Sequence, residues 1–380
     1  LAGTAPRWRH CWPEWAGYAA AGWSLLYGAL GGFWSFGGAG FPFGRDNDPQ
    51  AALSILAGAR AATGAPIVAG LGLLGTIVAV AMARAWGRGI LRAAMLAFAW
   101  IAAATLVLLI PDYRLLMAAA YLPLFVLGAP FGWPPGNFFD VITWPVVNQV
   151  LCVGGGLCWA AAAVAYKRRT SNACPACGRG DEGANWTTPQ AAARWGAWAT
   201  AIAVVIPRFY AATRWAWALG IPLGISEAFL REGQAVGLWW AGAGLATVAI
   251  GGAILTLGLV QRWGEVFPRW IPRLAGRRVP PALAIVPAML VSVLVTSAGL
   301  MFLRLTLLRT MGELFPAIGP ENWAALAPEL LWPLWGAALA AATLAYSYRR
   351  RGPCLRCGRG SASDSIISSG RESPRTRCPE

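Results

Sequence analysis

Long apolar runs separated by short polar breaks set the pattern of this chain. Runs that read as helices cover 15–37, 65–86, 90–110 and 144–166, then 195–221, 236–261, 281–303 and 332–348. Each approaches or exceeds the ~20 apolar residues that a helix needs to cross a bilayer. They are too long and too evenly apolar for barrel strands. Backbone in lipid must satisfy its own hydrogen bonds, and a helix does so within one segment. The pattern therefore predicts an all-α polytopic helical membrane bundle of about eight spans. One further stretch, 115–128, is apolar but short and contains Pro123. It reads as a re-entrant or interfacial helix.

The runs fall into two sets with landmarks in one register. Trp15 and Trp195 open similar segments, Gly40-Phe-Pro-Phe-Gly44 answers Gly220-Ile-Pro-Leu-Gly224, and Tyr166 answers Tyr346. Cys174-Pro-Ala-Cys177-Gly-Arg-Gly and Cys354-Leu-Arg-Cys357-Gly-Arg-Gly complete the series, all 180 residues apart. Between them the register slips, since Trp86-Gly pairs best with Trp263-Gly. Two tandem four-helix repeats are expected, related by a pseudo-twofold along the membrane normal. The expected divisions are an N-terminal segment 1–14, repeat one over 15–180, a linker 181–193, repeat two over 194–360 and a tail 361–380. The tail is Ser-rich and polar, and is expected to be disordered.

Charge adds orientation. Of 380 residues only 12% are charged and 57% are hydrophobic, which removes the soluble classes. The net charge of +15 could point to nucleic acid, but its distribution argues otherwise. With a cytoplasmic N-terminus, 23 of the 31 basic residues fall at the termini and in alternate loops on one side. That is the positive-inside pattern of a multi-pass cytoplasmic-membrane protein, with both termini cytoplasmic. Its basic loops would meet anionic lipid headgroups; no nucleic-acid partner is expected. The opposite side collects acidic residues with Trp133, Trp239, Trp240 and Trp323, which read as headgroup anchors. The sequence opens at Leu1, which reads as a trimmed or non-ATG start, and residues 1–14 show no cleavage-site pattern, so no cleavable signal peptide is expected.

Two segments, Tyr210 to Ser226 and Gln261 to Pro280, resemble those of uncharacterised actinobacterial membrane proteins. The resemblance implies a lineage, in keeping with a chain rich in Ala, Gly, Trp and Arg and holding one lysine, and implies no activity.

The strongest candidate chemistry is the set Cys174, Cys177, Cys354 and Cys357. Each pair is followed by Gly-Arg-Gly, which lets the chain turn and aim amides at sulfur. Tetrahedral zinc needs four such ligands, and each repeat offers two. A single structural zinc site shared across the repeats is the leading expectation. A redox dithiol and reduced, idle cysteines are the alternatives. Cys152 and Cys158, in an apolar run, read as packing residues, and Cys11 and Cys378 as terminal thiols that are reactive or idle. His10 is the only histidine, so His-based catalysis is not expected.

Ionisable residues within a span are a second candidate. Arg208 and Arg214 lie in the fifth run, and Glu227 is the nearest acid in sequence. They read as a ligand-binding set for an anion, or as a structural ion pair with a snorkelling arginine. The glycines of the two Gly-x-Pro-x-Gly segments are expected to turn the chain, and Gly154 to Gly156 to permit close packing. The functional expectation is a non-enzymatic membrane protein, a small-molecule transporter or scaffold with a structural zinc. A membrane thiol–disulfide oxidoreductase or a zinc- or redox-responsive sensor is the alternative.

Overall fold

Glycine and alanine on the helix surfaces decide how closely the helices meet. A computed structural model describes residues 12–128, 130, 142–171, 173–180, 185–352, 354 and 356–359, and among them the regular secondary structure is helical. The sole strand-like feature among these residues is an isolated bridge between Val266 and Arg278. The first half contributes α1 (Trp12–Ser35), α2 (Ala61–Ala83), α3 (Gly89–Ala104), α4 (Tyr113–Gly128) and α5 (Trp144–Arg169). The second contributes α6 (Pro189–Ala218), α7 (Glu227–Ala235), α8 (Leu238–Leu257) and α9 (Pro281–Leu307). The short α10 (Met311–Leu314) and α11 (Ala327–Leu330) and the long α12 (Trp332–Arg349) follow. Starts are marked by Pro145, Pro189 and Pro281 in the first turn, where a missing N–H costs nothing. Thr188 and Ser226 cap α6 and α7 through side-chain bonds to Ala191 and Phe229, both 3.3 Å.

Five helical stretches are long and apolar enough to cross a membrane: Ala61–Ala83, Gly89–Leu109, Trp144–Arg169, Leu238–Leu257 and Pro281–Leu307. The remaining three apolar runs form α1, α6 and α12, of 24, 30 and 18 residues, whose composition falls short of that standard. Trp, Tyr and Pro dilute all three, joined by arginines in α6 and at the end of α12. α1 lies against α2 and α5, and α6 lies against α8 and α12.

The α1–α2 crossing is the tightest. A Cβ added at Gly72 would lie 2.4 Å from the Gly28 amide nitrogen, and one at Gly31 would lie 2.4 Å from that of Ala69. Of the three central glycines of α5, Gly155 admits the Trp23 ring and Gly156 admits Val107. Trp159 and Tyr166 are buried on the same helix beside Ala20, Ala79, Met82 and Ala99. Trp335, Leu339, Ala342 and Tyr346 of α12 hold the corresponding core against Ala199, Ala203 and Val295.

The two ends of the bundle are fixed by contacts. At the near end, the Arg168 guanidinium sits 5.3 Å from the Trp12 ring, and the Tyr166 hydroxyl donates to the Trp86 carbonyl at 2.5 Å. The Tyr346 hydroxyl donates to the Gly264 carbonyl at 2.8 Å, and Trp195 lies beside Tyr348. At the far end, the Trp144 indole donates to the Gly40 carbonyl at 2.7 Å, and the Ala324 amide donates to the Gly224 carbonyl at 3.1 Å. Helices α1, α2, α3, α5, α6, α8, α9 and α12 therefore run alternately between the ends. α4 leaves the far end at Asp112 and the chain is back there at Trp144; in between, Leu115 packs with Val146 and Leu294. α3 continues into a π-helical turn, Thr105–Leu109, closed by Ile110 N–H to the Thr105 carbonyl at 2.9 Å.

Gly44 and Gly224 turn the chain at the far end with φ of +82° and +68°, a region closed to most side chains. A Cβ at Gly44 would fall 1.8 Å from the Ala59 carbonyl oxygen. One expectation needs correction: Trp239 is no headgroup anchor. It is 5% exposed, donates to the Leu230 carbonyl at 2.7 Å and packs on Trp217. Trp240 and Trp323 are exposed. Trp133, His10, Cys11, Cys378 and the tail 361–380 lie outside the described residues.

Candidate metal centre

Helices α5 and α12 both end at the near end in basic turns, and each feeds a knuckle of the same design. The Cys174 amide donates to the Arg179 carbonyl at 2.9 Å and the Gly178 amide to the Cys174 carbonyl at 2.7 Å. The Cys354 amide donates to the Arg359 carbonyl at 3.0 Å and the Gly358 amide to the Cys354 carbonyl at 2.7 Å. Gly178 and Gly358, at φ of +75° and +71°, supply the left-handed turn that brings both sulfurs of each knuckle to one side.

The knuckles face each other. All four Sγ atoms lie within 4.8 Å of one another, with Cys174 and Cys354 3.9 Å apart and Cys177 and Cys357 3.6 Å apart. Four sulfurs at ~2.3 Å from a zinc ion are separated by about 3.8 Å, so the cluster has the dimensions of a tetrahedral site. The four cysteines are free thiols, each half-buried.

The surroundings suit a negatively charged cluster. Arg179 Nη1 donates to the carbonyls of Gly352 at 3.2 Å and Arg359 at 2.6 Å, and Arg359 Nη1 donates to that of Arg179 at 3.3 Å. Arg168 Nη1 bonds the carbonyls of Pro175 and Ala176 inside the first knuckle, at 3.2 and 2.9 Å. A divalent ion with four thiolates carries two negative charges, and these guanidinium groups offset them. Burial pushes the Cys177 thiol up, and pushes Cys357 up to about 12. Burial also works to raise Cys354, yet backbone amides of Cys357 and Arg356 hold it at about 7. Four crowded sulfurs cannot all ionise alone, and a cation removes that conflict.

The charged residues of the fifth run separate. Arg214 is buried, and its carboxylate partner is Glu329 of α11, not Glu227. Its guanidinium also bonds Thr213 Oγ1 at 3.1 Å and stands over the rings of Tyr210 and Trp217, at 4.6 and 4.4 Å. Arg208 and Glu227 are both exposed, Glu227 in the first turn of α7. The three residues do not converge.

A second buried charge cluster lies at the far end of the first half. Arg114 bonds Asp48 through Nη1 and Nη2, both 2.9 Å, and Asp112 through Nε and Nη2, at 2.9 and 2.6 Å. Gln149 of α5 donates to Asp112 at 2.8 Å, and its neighbour Asn148 accepts from Tyr27 at 2.8 Å. This cluster escapes the sequence reading above; Asp112-Tyr-Arg114 in an apolar context is the one local signal for it, and Asp48, 66 residues upstream of Arg114, offers none. Comparison of the chain with protein-family models, with curated proteins and with solved structures found no match.

Proposed function

We propose that the chain is a multi-pass membrane protein of two tandem four-helix units, eight spans in all, stapled at the cytoplasmic end by one structural zinc ion on Cys174, Cys177, Cys354 and Cys357. The observation that carries this reading is the convergence of four thiols from knuckles 180 residues apart to within 4.8 Å. Matching tyrosine bonds, matching glycine turns and the alternating course of eight helices support the tandem arrangement. The basic residues at the knuckle end support its cytoplasmic placement.

A shell of four protein ligands leaves no open position for substrate, which is the signature of a structural site. The function is therefore that of a membrane scaffold whose two halves are held in one arrangement by metal. Metal content of detergent-purified protein tests it, wild type beside Cys174→Ser/Cys354→Ser. About one zinc per chain, lost in the variant, is expected. Iron in place of zinc would change the role to electron transfer. No metal in reduced, carefully handled protein overturns the staple.

One observation favours a second reading, a thiol switch. The 3.6 Å approach of Cys177 to Cys357 lies between the knuckles, so oxidation would lock the two halves covalently. Mild oxidation of chelator-treated protein, followed by cleavage between Gly180 and Pro189 and denaturation, would then leave the halves joined until reduced. Halves that separate without reductant exclude the switch.

A further inference from the structure

Far from the knuckles, a groove of about 370 Å³ opens between the two halves. Its walls are Leu108 and Leu109 of the π turn, Leu53 and Ile55 of the loop before α2, and Leu303 and Leu307 of α9. The volume is in the range of small-molecule sites, about 300–1,000 Å³. Ile55, Leu109 and Leu307 are exposed, so the groove faces whatever surrounds the bundle. One side chain breaks its apolar lining. Arg304, one turn before the end of α9, donates through Nη2 to the Leu53 carbonyl at 2.5 Å. Its Nε is buried and has no hydrogen-bond partner.

Arg304 forms no ion pair among the described residues. The nearest acid to influence it is Asp112, whose oxygens are already taken by Arg114 and Gln149. A cation in an apolar groove with no carboxylate partner among the described residues is poorly compensated, and an anion in the groove would offset its charge. The groove has one cation at the level of the far-end loops, with leucines above and below it. That polarity fits an amphiphile with an anionic head and an apolar chain. The π turn is itself a departure from regular helix of the sort that collects at binding sites.

We infer that this groove binds one membrane phospholipid with a net anionic headgroup, its phosphate on Arg304 and an acyl chain along Leu109, Leu303 and Leu307. The inference rests on the membrane reading above. It places the lipid against both halves of the chain, so that a bilayer component joins them at the end opposite the metal.

The test uses the full chain in mixed micelles with equal phosphatidylglycerol and phosphatidylcholine, followed by purification and mass spectrometry of retained lipid. Both lipids carry the phosphate, but the choline ammonium offsets its field at Arg304, so wild type should retain phosphatidylglycerol about tenfold over phosphatidylcholine. Arg304→Lys should keep the preference in part. Arg304→Gln and the groove-filling Leu109→Trp should abolish it. Equal retention of both lipids by wild type, or a preference unchanged in Arg304→Gln and Leu109→Trp, overturns the site. Displacement by inorganic phosphate alone would assign Arg304 to a free anion and also overturn it. If Arg304→Gln is not monodisperse, the wild-type ratio and Leu109→Trp decide. Sedimentation with membranes, scored separately, tests the membrane reading: a pelleted protein without lipid preference fails the groove alone.

Discussion

Arg179 and Arg359, 180 residues apart, each donate a guanidinium hydrogen bond to the other's backbone carbonyl, at 2.6 and 3.3 Å. The exchange ties one knuckle to the other independently of any metal. It also fixes the loops that present the sulfurs. Groups that orient metal ligands from outside the coordination shell typically contribute 10–100-fold in affinity. Arg179→Ala should therefore release zinc to a chelating dye at least about tenfold faster than wild type. An unchanged release rate would mean that the sulfurs hold their geometry unaided.

Metal uptake should displace protons. Without metal, backbone amides hold Cys354 at about 7 while burial pushes Cys357 up to about 12. At neutral pH the Cys357 thiol is protonated, and zinc can bind it only as that proton leaves. Affinity must then fall as pH falls, because protons and metal compete for the same sulfurs. Proton release on adding zinc to chelator-treated protein in weak buffer checks this. Cys357→Ser should release fewer protons than wild type.

Arg114 answers two buried carboxylates at once. Arg114→Met keeps an unbranched apolar stem and removes the guanidinium, leaving Asp48 and Asp112 without their shared cation. Loss of one member of a buried ion pair costs about 3–5 kcal/mol. Reversible unfolding in mixed micelles should show a loss of that size. A change below about 1 kcal/mol, the value of an exposed pair, would mean that water reaches the cluster.

Gly72 and Gly28 let α1 and α2 meet backbone to backbone. Gly72→Ala places a methyl group 2.4 Å from the Gly28 amide nitrogen, so the helices must part. Overpacking of this kind costs about 1–3 kcal/mol. Gly70→Ala, one position away from the contact face with open space around it, should be neutral or slightly stabilising. The two variants together separate crossing distance from helix propensity in the same unfolding assay.

Much of this architecture could be read from the sequence because lipid imposes a strong rule. A residue run that faces hydrocarbon has to be apolar along its length, so α2, α3, α5, α8 and α9 announce themselves. The knuckles are equally plain, since Cys-x-x-Cys-Gly-Arg-Gly twice over marks both the turn and the four thiols that the fold brings together. What could not be read were pairings between distant polar residues. Glu329 is 115 residues from Arg214, whereas Glu227 is close in sequence and exposed in space. Trp239 was misread for a related reason. A tryptophan near a helix start is compatible with a headgroup anchor and with a core residue, and only its contact with Trp217 decides.

The position of the second knuckle has a consequence for biosynthesis. When the first knuckle leaves the ribosome it offers two sulfurs, half of a closed tetrahedral shell, and the other half follows 180 residues later. The four long helices of the second half must be made and placed before the first half can be locked. Until then the exposed pair is equally able to complete its shell with the knuckle of a neighbouring chain, the exchange that produces domain-swapped dimers. With the proposed zinc staple, metal supply during translation would set a choice between one closed chain and two entangled ones.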